Sequence, residues 1–124
     1  MPAIFSDDLS YWDISKASTA EIPQEVLPYL SKLKAVKFSE SQSSRENIVS
    51  MIQSILSLPS IECVDFSSNN LSDEDLISLT EDFQQVPSLK YINLSNNPLN
   101  PTMHEGFLRH CKEKGITLIR PLFK

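Results

Sequence analysis

The chain has 124 residues, of which 40% are hydrophobic and 22% are charged, and its formal net charge is −5. This length fits a single domain, residues 1–124, and the acidic balance argues against nucleic-acid binding by phosphate neutralisation and against a polybasic membrane anchor. The two cysteines, Cys63 and Cys111, are too few and too far apart for a disulfide scaffold or a zinc site. We therefore expect free thiols in a reducing compartment, with no metal and no cofactor.

Residues 1–32 are predicted to form an N-terminal cap. Leu9, Trp12 and Ile14 have the spacing of a short strand with one buried face, and a short helix is expected over residues 23–30. The segment has no basic n-region followed by an apolar run, and no stretch of the chain approaches the roughly 18 apolar residues of a membrane span. We therefore expect a cytoplasmic protein, or one delivered into a host cytosol by a signal-peptide-independent route.

Residues 33–115 contain three strand-and-helix units with a period of 28 residues. The matching positions of the second and third units are Ile61, Val64, Phe66, Asn69 and Leu71, and then Leu89, Ile92, Leu94, Asn97 and Leu99. The first unit has Leu33, Val36 and Phe38, but Ser41 and Ser43 replace the Asn and the following Leu. Apolar residues at alternate positions predict short strands buried on one face, and each helix supplies the crossover that parallel strands require.

The helices are predicted over residues 44–58, 73–85 and 102–114. Ser72 with Asp75 fits an N-terminal capping pair, and Gly115 fits the position that ends the third helix. Residues 116–124 are predicted to form a C-terminal cap strand, which Pro121 interrupts. We predict that Asn69 and Asn97 have a structural role, because a buried amide can satisfy the backbone groups of the turn and of the next unit.

This pattern resembles the leucine-rich repeat of the ribonuclease-inhibitor-like type, whose form is LxxLxLxxNxL followed by a helix. The resemblance implies an α/β fold: a short solenoid with parallel strands on the concave face, helices on the convex face, and about three full repeats between degenerate caps. One departure is that the small residue usual near the helix start is Asn47, Asp75 or Met103 here. Another is the loss of the Asn in the first full unit.

Side chains that alternate with the buried strand residues are predicted to form rows across the exposed strand face. The rows are Tyr11, Ala35, Cys63, Tyr91 and Leu118; then Asp13, Lys37, Asp65, Asn93 and Arg120; then Ser15, Ser39, Ser67 and Ser95. The resemblance implies that partners dock on this concave face. The predicted protein-binding residues are Tyr11, Asp13, Lys37, Asp65, Tyr91, Asn93 and Arg120, and the two tyrosines are the predicted anchors because they offer a large area at low entropic cost.

The predicted function is that of a non-catalytic protein–protein interaction module: an adaptor, an assembly factor or a host-directed effector. Its partner would be another protein or a peptide. The exposed strand face covers only about 250 Å² from the strand spacing, against roughly 800 Å² per partner in a stable interface. A short peptide partner, a contact that includes the flanking loops, or a larger assembly would each fit this size.

Two other function classes remain open. In one, the chain is a structural subunit that associates with itself, for example as a homodimer. In the other it is an enzyme that uses Cys63 as a nucleophile on protein substrates, which requires a nearby histidine. The chain carries no catalytic motif, so we predict that it is not an enzyme. His104 and His110 are spaced six apart on the third predicted helix and are expected to be solvated.

The middle of the chain is acidic, and no Lys or Arg occurs from residue 46 to residue 89. The acidic belt around the second helix comprises Asp73, Glu74, Asp75, Glu81 and Asp82. It is expected to be a solvated convex face, and the alternative interpretation is a docking strip for a partner with a basic surface.

Overall fold

A computed structural model of the chain describes residues 4–5, 11–14, 33–41, 44–100 and 104–119. Within these ranges the elements in chain order are β1 (Ile4–Phe5), β2 (Tyr11–Asp13), β3 (Ala35–Lys37), α1 (Arg45–Leu56), β4 (Cys63–Asp65), α2 (Asp73–Gln84), β5 (Tyr91–Asn93), α3 (Glu105–Lys114) and β6 (Thr117–Ile119). The strands form one sheet in sequence order. In this described part of the chain, no helix is long and apolar enough to cross a membrane.

The five strands from β2 to β6 are parallel neighbours, and β1 pairs antiparallel with β2 at the edge. Ala35 lies opposite Cys63, and Cys63 lies opposite Tyr91, which is the predicted offset of 28 residues. Tyr11 lies opposite Ala35, so the predicted strand of the N-terminal cap also aligns with its neighbour. The ladder bonds repeat at the same offset: Phe38 N–H donates to Asp65 O and Phe66 N–H to Asn93 O, both at 2.8 Å.

The core lies between the sheet and the helices. Val36, Val64 and Ile92, at the strand centres, are buried on one face of the sheet, as the alternating pattern predicts. The predicted inward residues of α1 and α2 are also buried: Ile48, Met51, Ile52, Ile55, Leu76, Leu79 and Phe83. The Phe83 ring lies 6.1 Å from Phe66 and 5.2 Å from Phe107, so one side chain of α2 links a strand end to α3. Burying each side chain of this size stabilises the fold by about 1.5–3 kcal/mol.

Serine side chains cap the starts of α1 and α2, and the cap of α2 was predicted. Ser44 precedes α1, and its hydroxyl accepts from Asn47 N–H. Ser72 and Asp75 form a capping box at α2, in which each side chain accepts from the backbone N–H of the other residue. The predicted first residues of the third helix, 102 and 103, and the predicted cap helix over residues 23–30 lie outside the described residues.

The two buried asparagines have the predicted structural role. Asn97 Oδ1 accepts from Asn69 N–H at 3.0 Å and from Leu71 N–H at 2.9 Å, and its Nδ2 donates to Phe66 O and Leu94 O. Asn69 bonds in the same way one unit earlier: it accepts from Ser41 N–H and donates to Phe38 O and Phe66 O. Each side chain therefore joins the turn of its own unit to the turn before it.

The C-terminal strand is displaced from its predicted register. Thr117 lies opposite Tyr91, and Ile119 lies opposite Asn93, so the predicted placement of Leu118 and Arg120 in these rows was wrong by one residue. The cause is the length of the connection: two residues, 115 and 116, join α3 to β6, whereas six residues, 85–90, join α2 to β5. Leu118 instead packs against the core, and Arg120 lies outside the described residues.

The turns after β3, β4 and β5 contain a left-handed residue at the same position. Glu40, Ser68 and Asn96 have φ values of 52°, 57° and 58°. With only two glycines in the chain, these positions are filled by residues that carry a Cβ. The left-handed region costs such a residue roughly 1–2 kcal/mol, and asparagine tolerates it better than most.

Candidate functional site

The face of the sheet opposite the helices, here called the open face, carries most of the residues predicted to bind a partner. Tyr11 is 37% exposed. The other predicted binding residues with described side chains are partly buried, namely Asp13, Lys37, Asp65, Tyr91 and Asn93. The ladder aligns them in two rows, because Tyr11 and Tyr91 are in register with Ala35 and Cys63, and Asp13 is in register with Lys37, Asp65 and Asn93.

A shallow depression lies between the two tyrosines. It has a volume of about 170 Å³, and Tyr11, Ala35, Cys63 and Tyr91 line it together with Lys37 and Asp65. We call it the tyrosine notch. Tyr11 and Tyr91 are three strands apart, which places their Cα atoms about 14 Å from each other. The notch exists because the two intervening positions have small side chains, Ala35 and Cys63, between two large ones.

Negative charge surrounds the Tyr11 end of the notch. Burial raises the pKa of the Tyr11 phenol above its ordinary value, and the carboxylates of Asp13 and Asp65 raise that pKa further. Asp65 is two strands from Tyr11, so its effect indicates that its charge reaches across the floor of the notch. Lys37 lies between the two carboxylates in the ladder, and among the described side chains it forms no ion pair with Asp65.

Two of the predicted binding residues also hold the turns that follow their strands. Asp65 Oδ1 accepts from Ser67 N–H at 3.0 Å, and Asn93 Oδ1 accepts from Ser95 N–H at 2.9 Å and from Ser95 Oγ at 2.7 Å. In the predicted row of serines, Ser39 does not project as expected, because it is buried. Ser67 and Ser95 are partly buried, and Ser15 lies outside the described residues.

Cys63 lines the notch, and its surroundings disfavour the thiolate form. Burial raises the pKa of its thiol, and Glu62 raises it further, whereas Lys90 lowers it. Lys90 Nζ lies 3.4 Å from Glu62 Oε1, so the Glu62 carboxylate partly neutralises the positive charge of Lys90. In the described ranges, no group of three or more His, Cys, Asp or Glu side chains is placed to hold a metal ion.

The expectation that both histidines are solvated was wrong for His104, which is only 5% exposed. Its Nε2 lies 2.7 Å from Asp73 Oδ1, and the same oxygen accepts from Asn100 N–H at 2.7 Å. The Asn100 bond, followed by the one to His104, lowers the pKa of the Asp73 carboxyl below its usual range. The sequence carries no periodic signal for this pair, because the residues lie 31 positions apart, outside the 28-residue period.

The acidic belt is less solvated than expected. Asp75 is buried in the capping box, Asp73 contacts His104, and Asp82 Oδ2 accepts from Gln53 Nε2 at 3.3 Å. Glu74 and Glu81 are exposed. A groove of about 510 Å³ lies beside Glu81 and Asp82 at the C-terminal ends of α1 and α2, and it is lined by Leu56, Leu58, Pro59, Glu81, Asp82, Val86, Pro87 and polar side chains. It is the second candidate surface.

Comparison with known proteins finds a likeness of fold. A solved structure of "Leiomodin-1 Actin-Binding Site 2 (ABS2)" superposes with a TM-score of 0.61 and 11% sequence identity, covering 90% of this chain and 70% of that one. At this identity the likeness shows the fold alone, an α/β arrangement of parallel strands alternating with helices. No protein-family model matches the chain, and no curated protein sequence matches it. The resemblance to the leucine-rich repeat stays a prediction.

Proposed function

We propose that this chain is a non-catalytic protein-interaction module, a short solenoid of the leucine-rich-repeat type with three full repeats, and that its open face binds a partner protein. One observation carries the proposal. The helices bury one face of the sheet, while the other face presents two tyrosines around a depression, with charged side chains beside it. Folding does not require aromatic side chains there. An interaction role also agrees with the similar leiomodin structure, which is an actin-binding site.

In this proposal Tyr11 and Tyr91 are the anchors, and Asp13, Lys37, Asp65 and Asn93 tune the affinity. Arg120 belongs to the predicted set as well, although it lies outside the described residues. The notch is too small to supply a full interface, so the partner inserts one side chain or one short segment there, and the flanking loops extend the contact. Such a module would act as an adaptor, an assembly factor or an effector in the cytoplasm.

The test is to measure the affinity of a partner isolated from the native cell for three forms of the chain. Tyr91→Ala combined with Asp65→Asn changes the open face, and Glu81→Lys combined with Asp82→Lys changes the groove at the C-terminal ends of α1 and α2. Asparagine is chosen at position 65 because its amide oxygen can still accept from Ser67 N–H, as the Asn93 oxygen accepts from Ser95 N–H. We expect the open-face variant to unfold at nearly the same urea concentration as the wild type.

That open-face variant should bind at least about thirtyfold more weakly, as expected when an anchor is removed. The groove variant should bind normally. If the groove variant loses the partner and the open-face variant keeps it, the docking surface is the groove, and the partner carries a basic surface.

Self-association is the second candidate, and the last strand favours it. β6 ends the described sheet with Ile119 39% exposed and Thr117 exposed beside it, and exposed sheet edges are common sites of strand pairing. The solution mass at tens of micromolar protein separates the two functions. A stable dimer that Ile119→Lys dissociates would favour the structural subunit, and a monomer would favour the interaction module.

A further inference from the structure

The size and charge of the tyrosine notch indicate which side chain of a partner would fit it. Building on the proposed function, we propose that the notch binds an arginine side chain of the partner, with the guanidinium stacked against Tyr11 and paired with the carboxylate of Asp65. The observations that support this are the volume of the notch, the order of charges across the ladder, and the presence of two tyrosines and the Asp65 carboxylate in one lining.

The volume limits the occupant to one side chain. The notch measures about 170 Å³, whereas pockets that hold drug-sized molecules measure roughly 300–1,000 Å³. Its walls are the rings of Tyr11 and Tyr91, and its floor is Ala35 and Cys63. A long, flat side chain can lie along this floor with its end against a tyrosine ring.

The order of charges selects a cation. Across the ladder the row runs Asp13, Lys37, Asp65, so the one positive side chain has a carboxylate on each neighbouring strand. An anionic side chain of a partner that approached Lys37 would meet both carboxylates and be repelled. An apolar side chain would take the Asp65 carboxylate out of water without providing a hydrogen bond, which is unfavourable. A cation avoids both costs, and its repulsion by Lys37 is opposed by the two carboxylates of the row.

The geometry favours arginine over lysine. A guanidinium is planar, so it can stack on an aromatic ring and at the same time donate two parallel hydrogen bonds to a carboxylate. An ammonium group is a compact, strongly hydrated point charge that does not stack. The rings of Tyr11 and Tyr91 and the carboxylate of Asp65 all line one small notch, so a single guanidinium can use a ring face and the carboxylate together.

The neighbouring unit supplies a variant that removes the charge and keeps the fold. Asp65 and Asn93 lie opposite each other in the ladder, and each accepts through Oδ1 from the N–H two residues later, at 3.0 Å and 2.9 Å. Because Asn93 makes this turn with an amide, Asp65→Asn should keep the turn bond to Ser67. The reverse change, Asn93→Asp, should add a carboxylate beside Tyr91 at the other end of the notch.

The experiment is an NMR titration of the ¹⁵N-labelled full chain with the pentapeptide acetyl-Ser-Gly-Arg-Gly-Ser-amide. Matched peptides carry lysine, citrulline or glutamate in place of arginine. Citrulline keeps the shape of arginine but removes its charge. The titrations use the wild type, Asp65→Asn, Asn93→Asp, and a control variant, Glu81→Gln with Asp82→Asn, which removes two charges from the groove. Urea unfolding checks that each variant is folded.

We expect the arginine peptide to shift the amide signals of residues 35–37 and 63–65, and to bind at least several-fold more tightly than the lysine peptide. Asp65→Asn should weaken it about tenfold, Asn93→Asp should strengthen it, and the groove control should leave it unchanged. Equal binding of arginine and lysine, stronger binding of the glutamate peptide, or an affinity that depends on the groove charges and not on Asp65 would overturn the proposal. If Asp65→Asn does not fold, the proposal is tested by whether Asn93→Asp raises or lowers the affinity for the arginine peptide.

The two proposals fail separately. If Tyr91→Ala with Asp65→Asn abolishes binding of the native partner while the arginine peptide does not bind the notch, the open face is the docking surface and the inferred chemistry is wrong. If the arginine peptide binds the notch but the native partner binds the open-face variant as tightly as the wild type, the notch is selective for guanidinium groups and the proposed interface lies elsewhere.

Discussion

Strands and helices are connected differently in two parts of the chain. These are the central part, residues 61–97, and the last part, residues 104–119. In the centre, Asn97 bonds to the backbone of two units, and a capping box starts α2. In the last part, His104 precedes α3 with no side-chain cap bond and reaches back to Asp73 at the start of α2. Two residues then lead to β6, whose Leu118 is only partly buried.

This difference shows what the periodic residues do. Where Asn, Ser and Asp recur at the right positions, each backbone turn is satisfied by its own unit and the one beside it. Where they do not recur, Asp73 of the preceding helix accepts from a turn N–H, that of Asn100. The sheet then ends in a partly exposed strand. We therefore expect substitutions in the centre to cost more stability than equivalent substitutions in the last part.

The largest effect should come from the core of the centre. Leu79→Ala and Leu94→Ala remove side chains that are almost fully buried, so each should lower the free energy of unfolding by about 2–5 kcal/mol. Leu118→Ala, in the last strand, should cost less than about 1.5 kcal/mol because its side chain already contacts water. Urea unfolding of the three variants tests this order, and an equal loss at Leu118 would show that the end is packed as tightly as the centre.

The asparagines come next. Asn97→Ala should cost about 2–4 kcal/mol, because it leaves buried carbonyl and N–H groups of two units without partners. Asn69→Ala should cost less, since Asn69 bonds to fewer groups. Asn47→Ala is the matched control: the side chain is exposed, and the N–H that bonds to Ser44 belongs to the backbone and is kept. A loss above about 0.5 kcal/mol for the control would contradict the assignment.

In the last part, the contact between His104 and Asp73 should be the main polar support. His104→Ala removes a buried ring that bonds to Asp73, and we expect a loss of about 1–3 kcal/mol in urea unfolding. His110→Ala, within α3 and only partly buried, is the control and should cost clearly less. Equal losses would mean that α3 does not depend on the contact with α2.

The same contact predicts the response to acid. The pKa of Asp73 is lower in the folded state than its ordinary value of 3.8, so the folded state favours the ionised carboxylate. This contribution is present above pH 3.8 and is lost as the pH falls through the depressed pKa. Asp73→Asn should therefore reduce the loss of stability on acidification, measured by urea unfolding from neutral pH downward. A steeper acid loss in the variant would contradict the direction of the shift.

The smallest expected effect concerns the left-handed turn residues. Ser68→Gly should stabilise the chain by up to about 1 kcal/mol, because glycine adopts this conformation without a Cβ clash, although it also gains freedom in the unfolded chain. Asn96→Gly should gain less, since asparagine already tolerates the conformation. A loss of thermal stability in Ser68→Gly would show that the Ser68 side chain makes a contact that outweighs the backbone strain.

The sequence predicted much of the fold because the same residue types recur where each unit needs a buried strand residue or a hydrogen bond to a turn. The constant offset of Val36, Val64 and Ile92 predicted parallel neighbours, and the recurring Asn69 and Asn97 predicted the bonds between turns. The register of β6 could not be predicted, since it depends on the length of the connection from α3 and not on the type of residue. Apolar residues at 116, 118 and 119 allow more than one register.

The candidate site was predictable in part. Alternation along the strands predicted which side chains leave the sheet, and Tyr11, Lys37 and Tyr91 lie where it placed them. The alternating pattern does not show how deeply a side chain is buried or which turn groups it bonds. The burial of Ser39 and the turn bonds of Asp65 and Asn93 were therefore missed. The pair of His104 and Asp73 was missed as well, because it joins two helix starts whose spacing differs from the repeat.

The central claim is that the open face, and not the convex side, contacts the partner. Hydroxyl-radical footprinting of the chain, free and in complex with the partner isolated from the native cell, tests it directly. Tyr11 and Tyr91 report on the open face, and Ile77, which is 53% exposed on α2, reports on the convex side. We predict that the complex protects both tyrosines several-fold and leaves Ile77 unchanged. Protection of Ile77 with no change at Tyr11 and Tyr91 would contradict the account.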